Sequence, residues 1–297
     1  MHPELLRIGS LTINSYGLMM ALGFIAAGVL AAWGFKRRGL NPDSAIIGLM
    51  AAMVGGLVGA KLHYLIINPG SFPEAVFSGR GLVWYGGLLG GTLGVILALR
   101  WQKVPIGPAA DAVAPGLAAG YAFGRIGCLL NGCCHGSETS LPWGMVFPVG
   151  SPPTSVPVHP TQLYESLASL LILGVLLFLL QPRLRRTGAL FWAYVALAGL
   201  ERLLVEFLRI NRPVWLGLTQ QQLISVGMIV AGLVGVIWLY RRGAEVEPVS
   251  LRSAGETHGA AGAGLRGGAV AGRKAGANTA GARTRGGGAV GSAGKRS

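Results

Sequence analysis

Long apolar runs, each about 20 residues and each ended by a short polar stretch, dominate residues 1–242. An α-helix of about 20 residues spans the roughly 30 Å hydrocarbon core of a bilayer, so the pattern predicts seven spanning helices. They run from about Ser15 to Phe35, Asp43 to Ile67, Leu82 to Leu99, Pro108 into the segment around Arg125, Leu163 to Leu180, Gly188 to Leu208, and Leu218 to Tyr240. The short alternating segments of a β-barrel are not seen. Residues 1–14 read as an interfacial lead-in. Residues 68–81, with Pro69, Pro73 and Gly79, read as a loop, and 137–160, rich in Pro and Ser, as an external or interfacial segment.

The polar stretches between the runs set an orientation. Lys36-Arg37-Arg38, Arg100 with Lys103, Arg183 with Arg185 and Arg186, and Arg241-Arg242 follow alternate runs, whereas the opposite side carries mainly Arg7, Arg80, Arg209 and Arg212. Cytoplasmic loops carry the excess of Lys and Arg, so the N-terminus is expected outside and the C-terminus inside. Lys36-Arg37-Arg38 directly after the first run also mark it as a retained span, with no cleavable signal expected.

Composition agrees. The chain is 52% hydrophobic and 12% charged, against about 25% charged in soluble domains. Of the formal net charge of +14, half lies in residues 241–297, where ten Lys and Arg face three Asp and Glu. The basic balance is therefore in large part a property of the tail and does not indicate a nucleic-acid partner. Residues 1–242 read as one membrane domain. Residues 243–297, mostly Gly, Ala, Ser and Arg from 251 onward, have too few large apolar residues to form a core and are expected to be a disordered cytoplasmic tail, basic enough to touch anionic lipid. The glycines at 55, 56, 59 and at 86, 87, 90, 91, 94 have the small-xxx-small spacing of closely packed membrane helices.

Ionisable residues inside apolar runs are costly and point to function. Arg202, Glu206 and Arg209 recur at i, i+4 and i+7 and share one helix face. A single carboxylate cannot neutralise two arginines, and Arg125 adds a third at the same level. Guanidinium groups bind phosphate oxygens bidentately, so the cluster is a candidate phosphate seat; a structural Arg202–Glu206 ion pair is the plainer reading. His159-Pro160-Thr161-Gln162-Leu163-Tyr164-Glu165 opens the fifth run, with Thr161 placed to cap the helix. Ser15-Tyr16-Gly17-Leu18-Met19 and Trp84-Tyr85-Gly86-Gly87 open the first and third. Cys128, Cys133, Cys134 and His135 form a possible zinc set, although packing residues at a glycine-rich turn are the simpler reading. Three cysteines in one cluster do not make a disulfide framework.

Taken together, Gly124-Arg125-Ile126-Gly127 with Asn131 and Gly136, the His-Pro-x-Gln-Leu-Tyr-Glu run from His159 to Glu165, Tyr16 to Met19, and Arg202 with Glu206-Phe207 and Arg209 resemble the bacterial prolipoprotein diacylglyceryl transferases. The resemblance covers residues 10–242. It implies a seven-span protein of the bacterial inner membrane with its site toward the periplasm. The implied reaction moves the diacylglyceryl group of phosphatidylglycerol to the lipobox cysteine of a preprolipoprotein, as a thioether, with release of glycerol phosphate and no metal or organic cofactor. Phosphatidylglycerol, preprolipoproteins and membrane lipids would be the partners. Carried onto this chain, Arg125 and Arg202 hold the head group, Glu206 orients the arginines with Arg209 nearby, and Asn131 and Gly136 shape the pocket. Tyr16 and Glu165 belong to substrate binding, and Tyr85 and His159 are grouped with Arg202 and Glu206 as catalytic.

Three positions depart from the family pattern. Cys128 stands where Asn is common, Cys133 where Glu is common, and Tyr85 where a His often precedes the double glycine. That His is a natural base for the thiol, whose ordinary pKa is about 8.5. Here Tyr85, His135 and His159 are the alternatives. Two other classes stay open on sequence alone: a membrane thiol-redox or metal protein using the cysteine cluster, and a non-catalytic lipid-binding relative.

Overall fold

A computed structural model describes residues 3–8, 11–69 and 83–242. Seven long helices lie among the described residues: α1 (Ser15–Arg37), α2 (Pro42–Ile67), α3 (Trp84–Trp101), α4 (Ile106–Asn131), α5 (Thr161–Gly174), α6 (Ala189–Glu206) and α7 (Gln220–Arg241). A π-helical turn, Val175–Leu180, continues α5. The loop at 70–82, with Arg80, and the tail from 243 onward lie outside the described residues.

Five helices, α1, α2, α4, α7 and α5 with its π turn, are long and apolar enough to cross a membrane. The other two are diluted in ways the sequence explains. Five glycines and Arg100 lower the hydropathy of α3, and α6 carries Glu201, Arg202 and Glu206. The burial pattern is that of a protein solvated by lipid. Large apolar side chains such as Ile25, Leu97, Leu171 and Phe178 are exposed, while the buried core is dominated by alanine. One core cluster joins Ala31, Phe35, Ala45, Leu99, Ala109 and Ala112 from α1 to α4. A second joins Ala118, Ile172, Leu176 and Leu190 across α4, α5 and α6.

Two small elements were not expected. Within the segment read as an interfacial lead-in, β1 (Glu4–Ile8) pairs antiparallel with β2 (Leu11–Asn14). Another hairpin, β3 (Pro213–Trp215) and β4 (Leu218–Thr219), delays α7 to Gln220. Leu218 reads as the start of an apolar run, but Thr219 caps the helix. Its hydroxyl accepts the Gln222 N–H at 3.2 Å, and Gln222 Oε1 accepts the Thr219 N–H at 2.9 Å, the reciprocal capping box. The description "all-α" therefore needs these two hairpins added.

The glycine seam lies between α2 and α3. A Cβ on Gly55 would stand 2.5 Å from the Gly90 carbonyl oxygen, and one on Gly94 2.5 Å from that of Ala51. The backbones touch directly, as small-residue packing in lipid allows. On the far side, α6 is anchored by a contact between distant positions. Gly188 donates its N–H to Asp111 Oδ2 at 2.6 Å and Phe191 to Oδ1 at 2.9 Å. A carboxylate on α4 thus caps and neutralises the positive N-terminus of α6.

Candidate active site

The site forms where the C-terminal ends of α4 and α6 meet the first turns of α5. Glu165, in the first turns of α5, is fully buried. Three arginines converge on it. Arg125 Nε lies 3.4 Å and Arg209 Nη1 3.5 Å from Glu165 Oε2, and Arg202 Nη1 donates to Oε1 at 3.0 Å. The Tyr121 hydroxyl donates to Oε1 at 3.1 Å, and the Tyr121 ring lies 4.6 Å beneath the Arg125 guanidinium. Tyr121 and Arg125 are four residues apart on α4 and so share a face.

Arg202 bridges to a second carboxylate. Its Nη2 lies 2.6 Å from Glu206 Oε2. Glu206 Oε1 accepts from Asn211 Nδ2 at 2.6 Å and from the Thr219 hydroxyl at 2.8 Å, so the cap residue of α7 also positions the site. The plain ion pair expected between Arg202 and Glu206 exists. Among the described residues Glu206 pairs with Arg202, and the carboxylate touching all three arginines is Glu165. Three guanidinium groups against the two carboxylates that touch them leave one positive charge in excess. The arginine side chains keep 12–20% exposure while both carboxylates are sealed, so the excess charge is the accessible one.

The backbone behind this cluster is knitted from three segments. Gly136 donates its N–H to the His159 carbonyl at 2.8 Å, and Ser137 donates to that of Leu208 at 2.8 Å. A Cβ at Gly136 would stand 2.5 Å from the Leu208 oxygen and 2.9 Å from His159 Cβ, so only glycine fits where the strands cross. Gln162 Nε2 donates to the Cys133 carbonyl at 2.7 Å. Thr161 donates its hydroxyl to the Cys134 carbonyl at 2.8 Å and does not cap α5, because the loop after α4 has the stronger claim on it.

The remaining expected residues lie at varied distances from the cluster. Asn131 ends α4, followed by Gly132 in the left-handed conformation at φ +74°. Tyr16 lies in the first turn of α1 against Gly127 of α4, whose added Cβ would meet the Tyr16 ring at 3.2 Å. His159 faces Tyr164, with Nδ1 3.4 Å from the hydroxyl. Tyr85 packs its ring edge-on against Trp84. Among the described residues, no hydrogen bond or ion pair joins His159 or Tyr85 to the arginines. His135 is committed elsewhere: its Nδ1 is 3.1 Å from the Gly136 carbonyl, its Nε2 3.0 Å from that of Pro152, and its ring stacks on Phe147. It does not join the three thiols. The Cys134 thiol is held below its ordinary range by hydrogen bonds within the thiol group, from Cys128 and then Cys133, with Arg209 beside it.

Sequence reasoning missed three residues. Tyr121 was legible as the i−4 neighbour of Arg125. Asp111 was a charge inside an apolar run. Glu201, buried on α6, accepts from the Ser169 hydroxyl at 2.9 Å through Oε2, and the same test of charge within an apolar run finds it.

The family profile described as prolipoprotein diacylglyceryl transferase matches residues 3–238. The chain belongs to that family. It is 36% identical over 249 residues to a phosphatidylglycerol–prolipoprotein diacylglyceryl transferase of Dehalococcoides mccartyi, covering 80% of this chain and 93% of that relative. It is equally identical over 240 residues to the enzyme of that name in Clostridium tetani, covering 78% and 96%. The Geobacter sulfurreducens enzyme is 36% identical over 257 residues, covering 81% and 96%. Family membership makes this chain a membrane transferase of lipoprotein biosynthesis.

Proposed function

We propose that the arginines gathered by Glu165 seat the phosphate of phosphatidylglycerol. The chain transfers the diacylglyceryl group from that lipid to the cysteine thiol of a prolipoprotein. The thiolate is the nucleophile. It attacks the glyceryl carbon, the carbon–oxygen bond to the phosphodiester breaks, and the electron pair leaves on the phosphate oxygen as glycerol phosphate. The leaving group gains negative charge as the bond breaks. Fixed donors aimed at that charge are worth about 10²–10³ in rate each. Arg202 is the strongest candidate, because Glu165 and Glu206 lock its two ends while an exposed fraction remains. Arg125 and Arg209 complete the seat.

In this reading Glu165 orients the seat from behind rather than touching substrate. Gly136 and Asn131 shape the wall, and Tyr16 borders the approach of the thiol. His159 and Tyr85 act at the rim. An apolar cavity of about 430 Å³, lined by Met20, Phe24, Ala60, Val83, Trp84, Gly87 and Leu88, offers the acyl chains a lateral place between α1, α2 and α3. All seven long helices then cross a bacterial inner membrane, N-terminus out and C-terminus in. The alternating Lys and Arg clusters support that orientation, and the arginine seat falls on the periplasmic side, where the lipobox of a secreted client arrives.

The observation that carries the proposal is one sealed carboxylate contacting three partly exposed arginines. The test mixes detergent-purified chain with phosphatidylglycerol and a single-cysteine lipobox peptide, and follows the peptide by mass spectrometry. A diacylglyceryl thioether is the expected product. No product from folded chain that binds the lipid contradicts the reading.

A further inference from the structure

Among the described residues, no hydrogen bond or ion pair joins Tyr85, His135 or His159 to the arginine cluster. What does lie at its edge is a convergent set of thiols. The Sγ atoms of Cys128, Cys133 and Cys134 are all within 4.8 Å of one another, and no His, Asp or Glu joins them among the described residues. All three are free thiols. The Arg209 guanidinium lies beside the Cys134 sulfur.

The loop is built to hold this convergence. Cys128 is buried in the last turn of α4, and its carbonyl accepts the Cys133 N–H at 3.1 Å. Gln162 and Thr161 fix the carbonyls of Cys133 and Cys134. Cys134 itself sits at φ +66°, a left-handed conformation that is strained for a residue with a side chain. Ordinary packing of small sulfur side chains needs neither the strain nor the mutual approach.

We propose that Cys128, Cys133 and Cys134 bind one zinc ion as thiolates, and that its open fourth position takes the client's cysteine thiol. The second half rests on the transferase reading above. Zinc–sulfur bonds of about 2.3 Å put three sulfurs about 4 Å apart, a small contraction of the spacing seen. Three protein ligands with one open position is the pattern of a catalytic rather than a structural zinc. Zinc with three thiolates carries one negative charge, beside the Arg209 guanidinium.

This chemistry needs no protein side chain as base. A thiol that coordinates zinc gives up its proton, here to water. The zinc-bound sulfur then attacks the glyceryl carbon. The carbon–sulfur bond forms, the carbon–oxygen bond to phosphate breaks, and its electron pair leaves with glycerol phosphate on the arginines. The thioether product binds zinc weakly and departs. Tyr85 then needs no basic role.

Cobalt titration of the full-length, reduced, metal-stripped chain in detergent tests this. A sulfur-to-cobalt charge-transfer band that saturates at one equivalent and is displaced by zinc is expected. The band should shift with a lipobox peptide carrying cysteine and stay unmoved with the serine version. Chelation should slow transfer by about 100-fold or more, the scale of a lost general base, and zinc should restore it. A folded chain that gives no saturable band, or whose intact mass shows two of the cysteines joined in a disulfide, overturns the metal site. A band indifferent to the cysteine peptide overturns the thiol role. A cobalt band with no transfer at all leaves the metal site standing and sinks the transferase reading instead. The wild-type titration decides without relying on a variant; Cys133→Ser, expected to weaken the band, adds a second check.

Discussion

The α2–α3 seam and the α4–α5–α6 junction solve the same problem in opposite ways. Both bring helices together in lipid, where apolar side chains gain nothing by leaving one another's company for a neighbour's. At the seam the solution is to have no side chain: Gly55 meets Gly90, and Gly94 meets Ala51, backbone on backbone. At the junction the solution is charge, with Arg125, Arg202 and Arg209 around a sealed Glu165. Close backbone packing holds the first. The second spends desolvation on five charged groups and keeps one positive charge uncompensated. That imbalance separates a site from a scaffold.

Substitutions can break the comparison. Glu165→Gln should have the largest effect, since it leaves three guanidiniums around a neutral amide. Losing one partner of a buried ion network costs about 3–5 kcal/mol. Thermal unfolding in detergent should drop sharply and transfer should vanish together. Gly94→Leu attacks the seam. Overpacking of about 1–3 kcal/mol is expected, lowering the unfolding temperature while activity per folded molecule stays close to wild type. Activity lost in proportion to nothing but the charge sites would sharpen the contrast; a Gly94→Leu chain that is fully folded and inactive would blur it. Tyr85→Phe should do least. Its hydroxyl makes no contact with the arginines among the described residues, so the transfer rate should fall far less than the roughly 100-fold expected from losing a general base.

Much of the fold was legible because lipid imposes one rule on the whole backbone, that its polar groups be satisfied within each helix. Apolar runs therefore marked the helices to within a few residues. The hairpins escaped, since strands such as Pro213–Trp215 and Leu218–Thr219 are too short to show a period. In the site, Arg125, Arg202, Glu206 and Arg209 stood out as charges in apolar surroundings. Glu165 was marked as a site residue only through the family resemblance, and only the fold shows it meeting Arg125 from forty positions upstream and Arg209 from downstream. Asp111 capping α6 is legible in neither helix alone. The cysteines were visible as a cluster, but their convergence depends on the left-handed turn at Gly132 and Cys134, which spacing does not reveal.

The central claim is that the arginines around Glu165 stabilise the departing phosphate. The most direct measurement is the rate of glycerol phosphate release per folded molecule in Arg202→Ala against wild type, with phosphatidylglycerol and a lipobox peptide both saturating. A loss of about 10²–10³-fold with lipid still bound is the expected result. A rate within a few fold of wild type would contradict the account and return the cluster to pure structure.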